Sequence, residues 1–193
     1  MRNLTRPFYI ALIAMLSAAL IFTACSDDDE DNNDNIESSG TVELATGDSY
    51  DLTQGVLQLS NEGDSFNTYA LILGSSGLDW ETFSGIGEVV WLVVYSDQKP
   101  LTNGTFTLNT SPQVNTIDSA FSYFAVQANP VTMESEVAYK FMPGQGDSLS
   151  ISKDGDIYEI NAVFPVAASD EDQTTITSIS VDYSGELIYD EAK

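Results

Sequence analysis

No histidine occurs anywhere in the 193 residues, and the only arginines are Arg2 and Arg6. The missing histidine removes the commonest general base and the commonest zinc ligand. Ser-His-Asp and Cys-His catalysis are therefore excluded. The scarcity of arginine removes the bidentate clamp for phosphate and carboxylate groups. Cysteine occurs once, at Cys25, so no intrachain disulfide can form. Basic residues are few: six Lys and Arg stand against 30 Asp and Glu, a formal net charge of −24. Such a surface repels nucleic acid and anionic lipid, and no nucleic-acid partner is expected. A phosphate-cradling loop is also lacking, because Gly85-Ile86-Gly87 has neither the third glycine nor the following lysine. No cofactor is implied. The chemistry left open belongs to carboxylates. One form is glycoside hydrolysis by an acid pair about 5–9.5 Å apart in a cleft. The other is Ca²⁺ held by oxygen ligands.

What is present begins with the first 25 residues. Met1–Pro7 carries Arg2 and Arg6, Phe8–Phe22 is apolar but for Ser17, and the small pair Thr23-Ala24 precedes Cys25. A charged start, an apolar middle and a small-residue end make the layout of a secretory signal, predicted over residues 1–24. The alternative is an uncleaved anchor, for which the apolar stretch is at the short end of what spans a bilayer. Cys25 stands between this leader and a solvated acidic run, which is no place for a core thiol. Residues 26–40 hold seven acids and no base. Too little apolar surface is available there to fold, and like charges extend the chain. Residues 25–40 are expected to form a tether, whose last fifteen residues reach at most about 50 Å. Without Arg2 and Arg6 the chain keeps four lysines against 30 acids, a formal balance of −26. A saline habitat would favour the same excess.

Phe22-Thr23-Ala24-Cys25 resembles a bacterial lipobox, with Phe22 where an aliphatic residue is usual. In that motif the cysteine becomes the first residue of the mature protein and is lipidated. Ser26-Asp27-Asp28-Asp29-Glu30 resembles the lipoprotein export signal of Bacteroidota, which marks cargo for the outer face of the outer membrane. The bland reading of the same run is an acidic linker. The resemblance implies lipidation at Cys25 and an outer-membrane partner reached through that lipid. Two or more acyl chains anchor stably where one does not.

Residues 41–193 read as one domain, long enough for an independent core. Short β patterns recur throughout. Gly55–Leu59 and Gly104–Leu108 alternate, and Phe66–Leu73 makes a longer run. Glu88–Tyr95 is continuously apolar, which predicts a central strand covered on both faces. Ala120–Gln127, Val137–Phe141, Ser148–Ser152, Ile157–Val166, Thr174–Tyr183 and Glu186–Tyr189 follow. Lys153-Asp154-Gly155-Asp156 between two such runs is a strong hairpin signature. Nine or ten short strands predict an all-β fold: a single antiparallel sandwich or a lipocalin-like barrel. The strings Gly155-Asp156-Ile157-Tyr158-Glu159-Ile160 and Tyr183-Ser184-Gly185-Glu186-Leu187 resemble the closing hairpins of Bacteroidota surface lipoproteins, and Leu101–Thr107 resembles their middle strand. That resemblance implies a small β domain and brings no catalytic residue.

Several residues are candidates for function. Trp80, flanked by Asp79 and Glu81 in a Gly/Ser-rich stretch, has the make-up of a sugar site: a ring to stack on a pyranose and carboxylates for its hydroxyls. The competing expectation is that Trp80 folds back and caps the core. Asp170-Glu171-Asp172 and the Asp27–Asp31 run lack the glycine and glutamate of a calcium loop. Solvated loops explain them, and no metal site is expected. Glu134 and Glu136 read as neighbours on an exposed strand face. Asp118-Ser119-Ala120 and Asp147-Ser148-Leu149 resemble the Bacteroidota O-glycosylation motif, with Ser119 and Ser148 as acceptors. Together these point to a surface-anchored, non-catalytic binding module for a glycan, peptide or protein. A structural envelope subunit and a carboxylate-dependent glycan enzyme are the alternatives.

Overall fold

The computed structural model of the chain describes residues 38–168 and 176–191, apart from 81, 83 and 145. Cys25, Ser26–Glu30, Glu81 and Asp170–Asp172 lie outside the described residues. Among the described residues there is no helix, and the all-β expectation holds.

The strands follow the patterns that predict them. Alternation gives β3 (Gln54–Asn61), β8 (Gly104–Asn109), β12 (Ser148–Asp154) and β13 (Ile157–Ala168). In β13, Tyr158, Ile160, Ala162, Phe164 and Val166 point inward, while Glu159, Asn161 and Val163 point out. Denser apolar runs give β4 (Asn67–Gly74) and β7 (Gly87–Ser96), buried along nearly their whole length. β10 (Tyr123–Ala128) starts three residues later than its pattern, and β11 (Val137–Phe141) fits its own. β14 (Ile176–Glu186) and β15 (Ile188–Glu191) end the described chain. Five short strands carry little pattern of their own: β1 (Ser39–Leu44), β2 (Ser49–Leu52), β5 (Leu78–Asp79), β6 (Ser84–Gly85) and β9 (Thr116–Asp118).

Thirteen strands share one hydrogen-bonded sheet, and β5–β6 form a separate pair. The main path runs β15-β3-β4-β7-β9-β8-β12-β13-β14-β1-β2. It is mixed, because β15 lies parallel to β3 and β8 parallel to β9. One core contains residues from β1–β4 and from β7–β14, among them Leu57, Leu92, Phe106, Phe124, Leu149 and Val181. One face of one sheet meets itself in this way by curling or folding over, so the strands enclose a single core.

The sheet also forks. One edge of β7 pairs with β9 at Val94-Tyr95 and with β10 over Gly87–Trp91. One edge of β13 pairs with β12 over Ile157–Val163 and with β11 over Val166–Ala168. Three strands thus bridge β7 to β13 on one branch, and two on the other. Backbone groups at the fork find local partners. Ser122 Oγ accepts the Val93 N–H at 2.9 Å. Pro165, which has no N–H, sits between the β12 and β11 pairings, and its carbonyl accepts the Met142 N–H at 2.8 Å. A proline is tolerated there because it falls where the ladder passes from one partner strand to the other.

The outer face of β3, β4, β7 and β10 carries a second, smaller core: Ala70, Ile72, Leu78, Trp80, Val89 and Trp91, with Tyr123 packed against it. This second layer is why β7 is buried on both faces, as its continuous run predicts.

Candidate functional site

The segment after β4 folds down over the sheet's outer face. Gln54 Nε2 donates to the carbonyls of Ser75 and Leu78, at 2.7 and 2.8 Å. Ser75 Oγ accepts the Glu88 N–H at 3.0 Å. Trp80 lands over Gly74, where a Cβ would lie 2.6 Å from its Cζ2 atom. It is only 8% exposed, so its ring presents no open stacking face. Asp79 accepts the Thr82 N–H at 3.0 Å and shapes the turn. The geometry is therefore that of the capping tryptophan. The sugar reading, in which Asp79, Trp80 and Glu81 surround a ligand, finds no open ring.

The two Asp-Ser motifs flank the end of β8. Asp147 Oδ2 accepts the Leu108 N–H at 2.8 Å. On the other side, the Ser119 N–H and hydroxyl both donate to the Asn109 carbonyl, at 3.0 and 3.1 Å. Asp118 is buried, accepting the Tyr95 hydroxyl at 2.7 Å and the Ala120 N–H at 2.9 Å. Burial, then the Asp118 hydrogen bond and charge, pushes the Tyr95 hydroxyl well above the usual tyrosine range. Both aspartates thus hold backbone and side-chain partners in place. Ser119 is half-buried and engaged, whereas Ser148 is exposed. Glu134 and Glu136 lie in the β10–β11 connection and not on a strand, with Asn129 bridged to Glu134. Among the described residues, no group of three or more His, Cys, Asp or Glu is placed to hold a metal ion.

A shallow, open concavity built from described side chains lies elsewhere. On the outer face of β12, β13, β14 and β1 is a trough of about 530 Å³. Strand register sets its walls in two rungs. Ser150, Asn161, Asp182 and Thr41 form one rung, and Ser148, Val163, Ser180 and Glu43 the other. Neighbouring strands stand about 4.8 Å apart, so a rung of four spans roughly 14 Å. In the adjoining rung Ser184 donates to Glu159 at 2.8 Å. No side-chain hydrogen bond among the described residues ties up Thr41, Glu43, Ser148, Ser150, Asn161, Ser180 or Asp182.

The trough offers donors and acceptors on a rigid floor, without a cation. Glu43 and Asp182 are diagonal neighbours across β1 and β14, a relation that places residues about 7–8 Å apart. That spacing suits a glycosidase acid pair. Both are exposed, however, on an open face that excludes no water. The trough escapes inspection of the sequence because its residues come from both ends of the chain. A trace remains in the alternating small polar positions of Ser148–Ser152 and Ser178–Ser184.

Compared with known protein families, with curated proteins and with solved structures, the chain matches none.

Proposed function

We propose that this chain is a lipid-anchored protein of the outer-membrane surface whose β domain is a non-catalytic binding module. The trough supports the binding reading: seven open polar side chains on a concave face that the main core holds rigid. Sites on a rigid scaffold keep low the entropy lost on binding. The apolar leader, Cys25 and the run Ser26–Glu30 support the anchoring reading.

Each half has its own test. The mature chain is applied to an array of glycans, peptides and proteins, beside Ser180→Trp, which fills the trough. Hits that vanish in Ser180→Trp, with its melting temperature unchanged, bear the reading out. An array without hits sinks it. Separately, Cys25→Ala loses acylation and leaves the membrane fraction. A Cys25→Ala protein that remains acylated and membrane-bound overturns the anchor.

A second reading, a structural envelope subunit, draws on β15. Among the described residues its outer edge has no partner strand, and Ile188 is 51% exposed. Free edges pair with other chains. A strictly monomeric protein in native membrane extracts weighs against it.

A further inference from the structure

We infer that the trough takes an uncharged, hydroxyl-rich chain, a neutral oligosaccharide lying across β12, β13, β14 and β1. This rests on the binding-module reading and names its ligand class.

Charge rules out the first competitor. Glu43 and Asp182 stand in the wall, and Asp51 and Glu159 lie one strand or one rung away. No lysine lines the trough. A uronate, sulfate or phosphate ligand would meet the Glu43 and Asp182 carboxylates, with no cation in the wall to neutralise it.

Chemistry rules out the second. An apolar ligand needs an apolar lining, and the only exposed apolar residue in the wall is Val163, at 45%. The other exposed or half-buried lining groups are four hydroxyls, one amide and two carboxylates. Sugar hydroxyls both donate and accept, as do Thr41, Ser148, Ser150, Ser180 and the Asn161 amide. Glu43 and Asp182 add acceptors for paired hydroxyls. Val163, between Ser148 and Ser180 on its rung, supplies the apolar spot on which the C–H face of a sugar ring rests.

Geometry disfavours the third competitor, a lysine-rich peptide. Such a peptide needs carboxylates converging on one ammonium group. Here Ser180 is directly opposite Glu43 and Thr41 directly opposite Asp182, so the acids alternate with hydroxyls. Repetition also fits a polymer. The two rungs stand about 6.8 Å apart along the strands, each carrying one carboxylate among short polar side chains, and neighbouring positions within a rung repeat at about 4.8 Å. Short Ser, Thr and Asn side chains lose little conformational freedom on binding.

The experiment titrates the isotope-labelled mature chain with three classes of probe: neutral hexasaccharides of glucose, mannose and xylose, an oligouronate, and a lysine-rich peptide. Amide shifts locate binding, and calorimetry measures it. A neutral hexasaccharide should shift amides of β1, β12, β13 and β14. Asn161→Ala and Asp182→Asn should each weaken it at least tenfold, with unchanged melting temperatures. Binding of the oligouronate or the peptide in the trough, and of no neutral sugar, overturns this inference but leaves the binding module standing. Neutral-sugar shifts confined to other strands do the same. If the three classes of probe and the wider array all fail to bind, both readings fall.

Discussion

Single side chains in this domain divide into those that hold it together and those left open to solvent, and Trp80 belongs with the first. Covering Gly74 on the outer sheet face, it is expected to act through stability. Trp80→Ala should cost about 3–5 kcal/mol in urea denaturation and leave trough binding unchanged in the folded fraction. Selective loss of binding without loss of stability would contradict this. The buried tyrosines make a second prediction. Tyr69 donates to the Gln98 carbonyl at 2.8 Å. Burial, followed by the nearby Tyr189 and Glu191 charges, pushes its hydroxyl up to about 12 from 10.0. A raised folded-state value means the unfolded chain loses its proton first. The contribution is therefore whole below pH 10 and is lost as pH rises from 10 through about 12. Tyr95 is raised too, so the two should act together. Urea midpoints between pH 8 and 12 should fall above pH 10, and less steeply in Tyr69→Phe. The burial of Trp80 was legible in the sequence only as one of two outcomes, because a tryptophan between two acids looks alike in a cap and in a sugar site.

At the level of strands, alternation carried most of the reading. β3, β8, β12 and β13 bury every second residue, and such a period needs no knowledge of partners. β2 and β9 escaped because three or four residues give too few periods, and β1 because only its second half, Val42-Glu43-Leu44, alternates. The hairpin was foreseen, but its loop is Gly155-Asp156, since Asp154 pairs with Ile157. Gly155, with φ of 58°, stands first in that loop, as a II′ turn prefers. Gly155→Val should therefore destabilise the domain by roughly 1–3 kcal/mol. The fork offers a paired test. Pro165→Ala should change stability by less than about 1 kcal/mol, because Pro165 sits in the break between the β12 and β11 pairings and the change removes no ladder bond. Val163→Pro, one pleat earlier and paired with Ser148, removes a ladder bond and should cost roughly 1–3 kcal/mol. Equal effects in urea titrations would refute this account of the fork. No local pattern could have announced the fork, because it depends on which distant strands share an edge.

Across the whole molecule, charge and connectivity set the remaining expectations. A net charge of −24 repels itself. Lys99 meets Glu62 at 2.7 Å, an exposed pair of little weight. Raising ionic strength from 0.01 to 0.15 M shortens the screening length from about 30 to about 8 Å. The melting temperature should rise, and calorimetry showing a fall would mean that ion pairs outweigh repulsion. The charge could be read from composition alone. The trough could not, because β1 opens the described chain and β14 comes near its end, and only their pairing joins Thr41 to Asp182. That pairing has a mechanical consequence. β1 is gripped along both edges, by β14 from Ser39 to Leu44 and by β2 from Gly40 to Glu43. If the chain is anchored at Cys25 as proposed, a pull along the β1 axis at Ser39 would load these bonds in shear, all at once, where peeling would break them in turn. Under the proposed reading, drag on a polymer lying across β12, β13 and β14 would reach the anchor only through the bonds that tie β14 to β1, so those bonds would set the load the domain can bear.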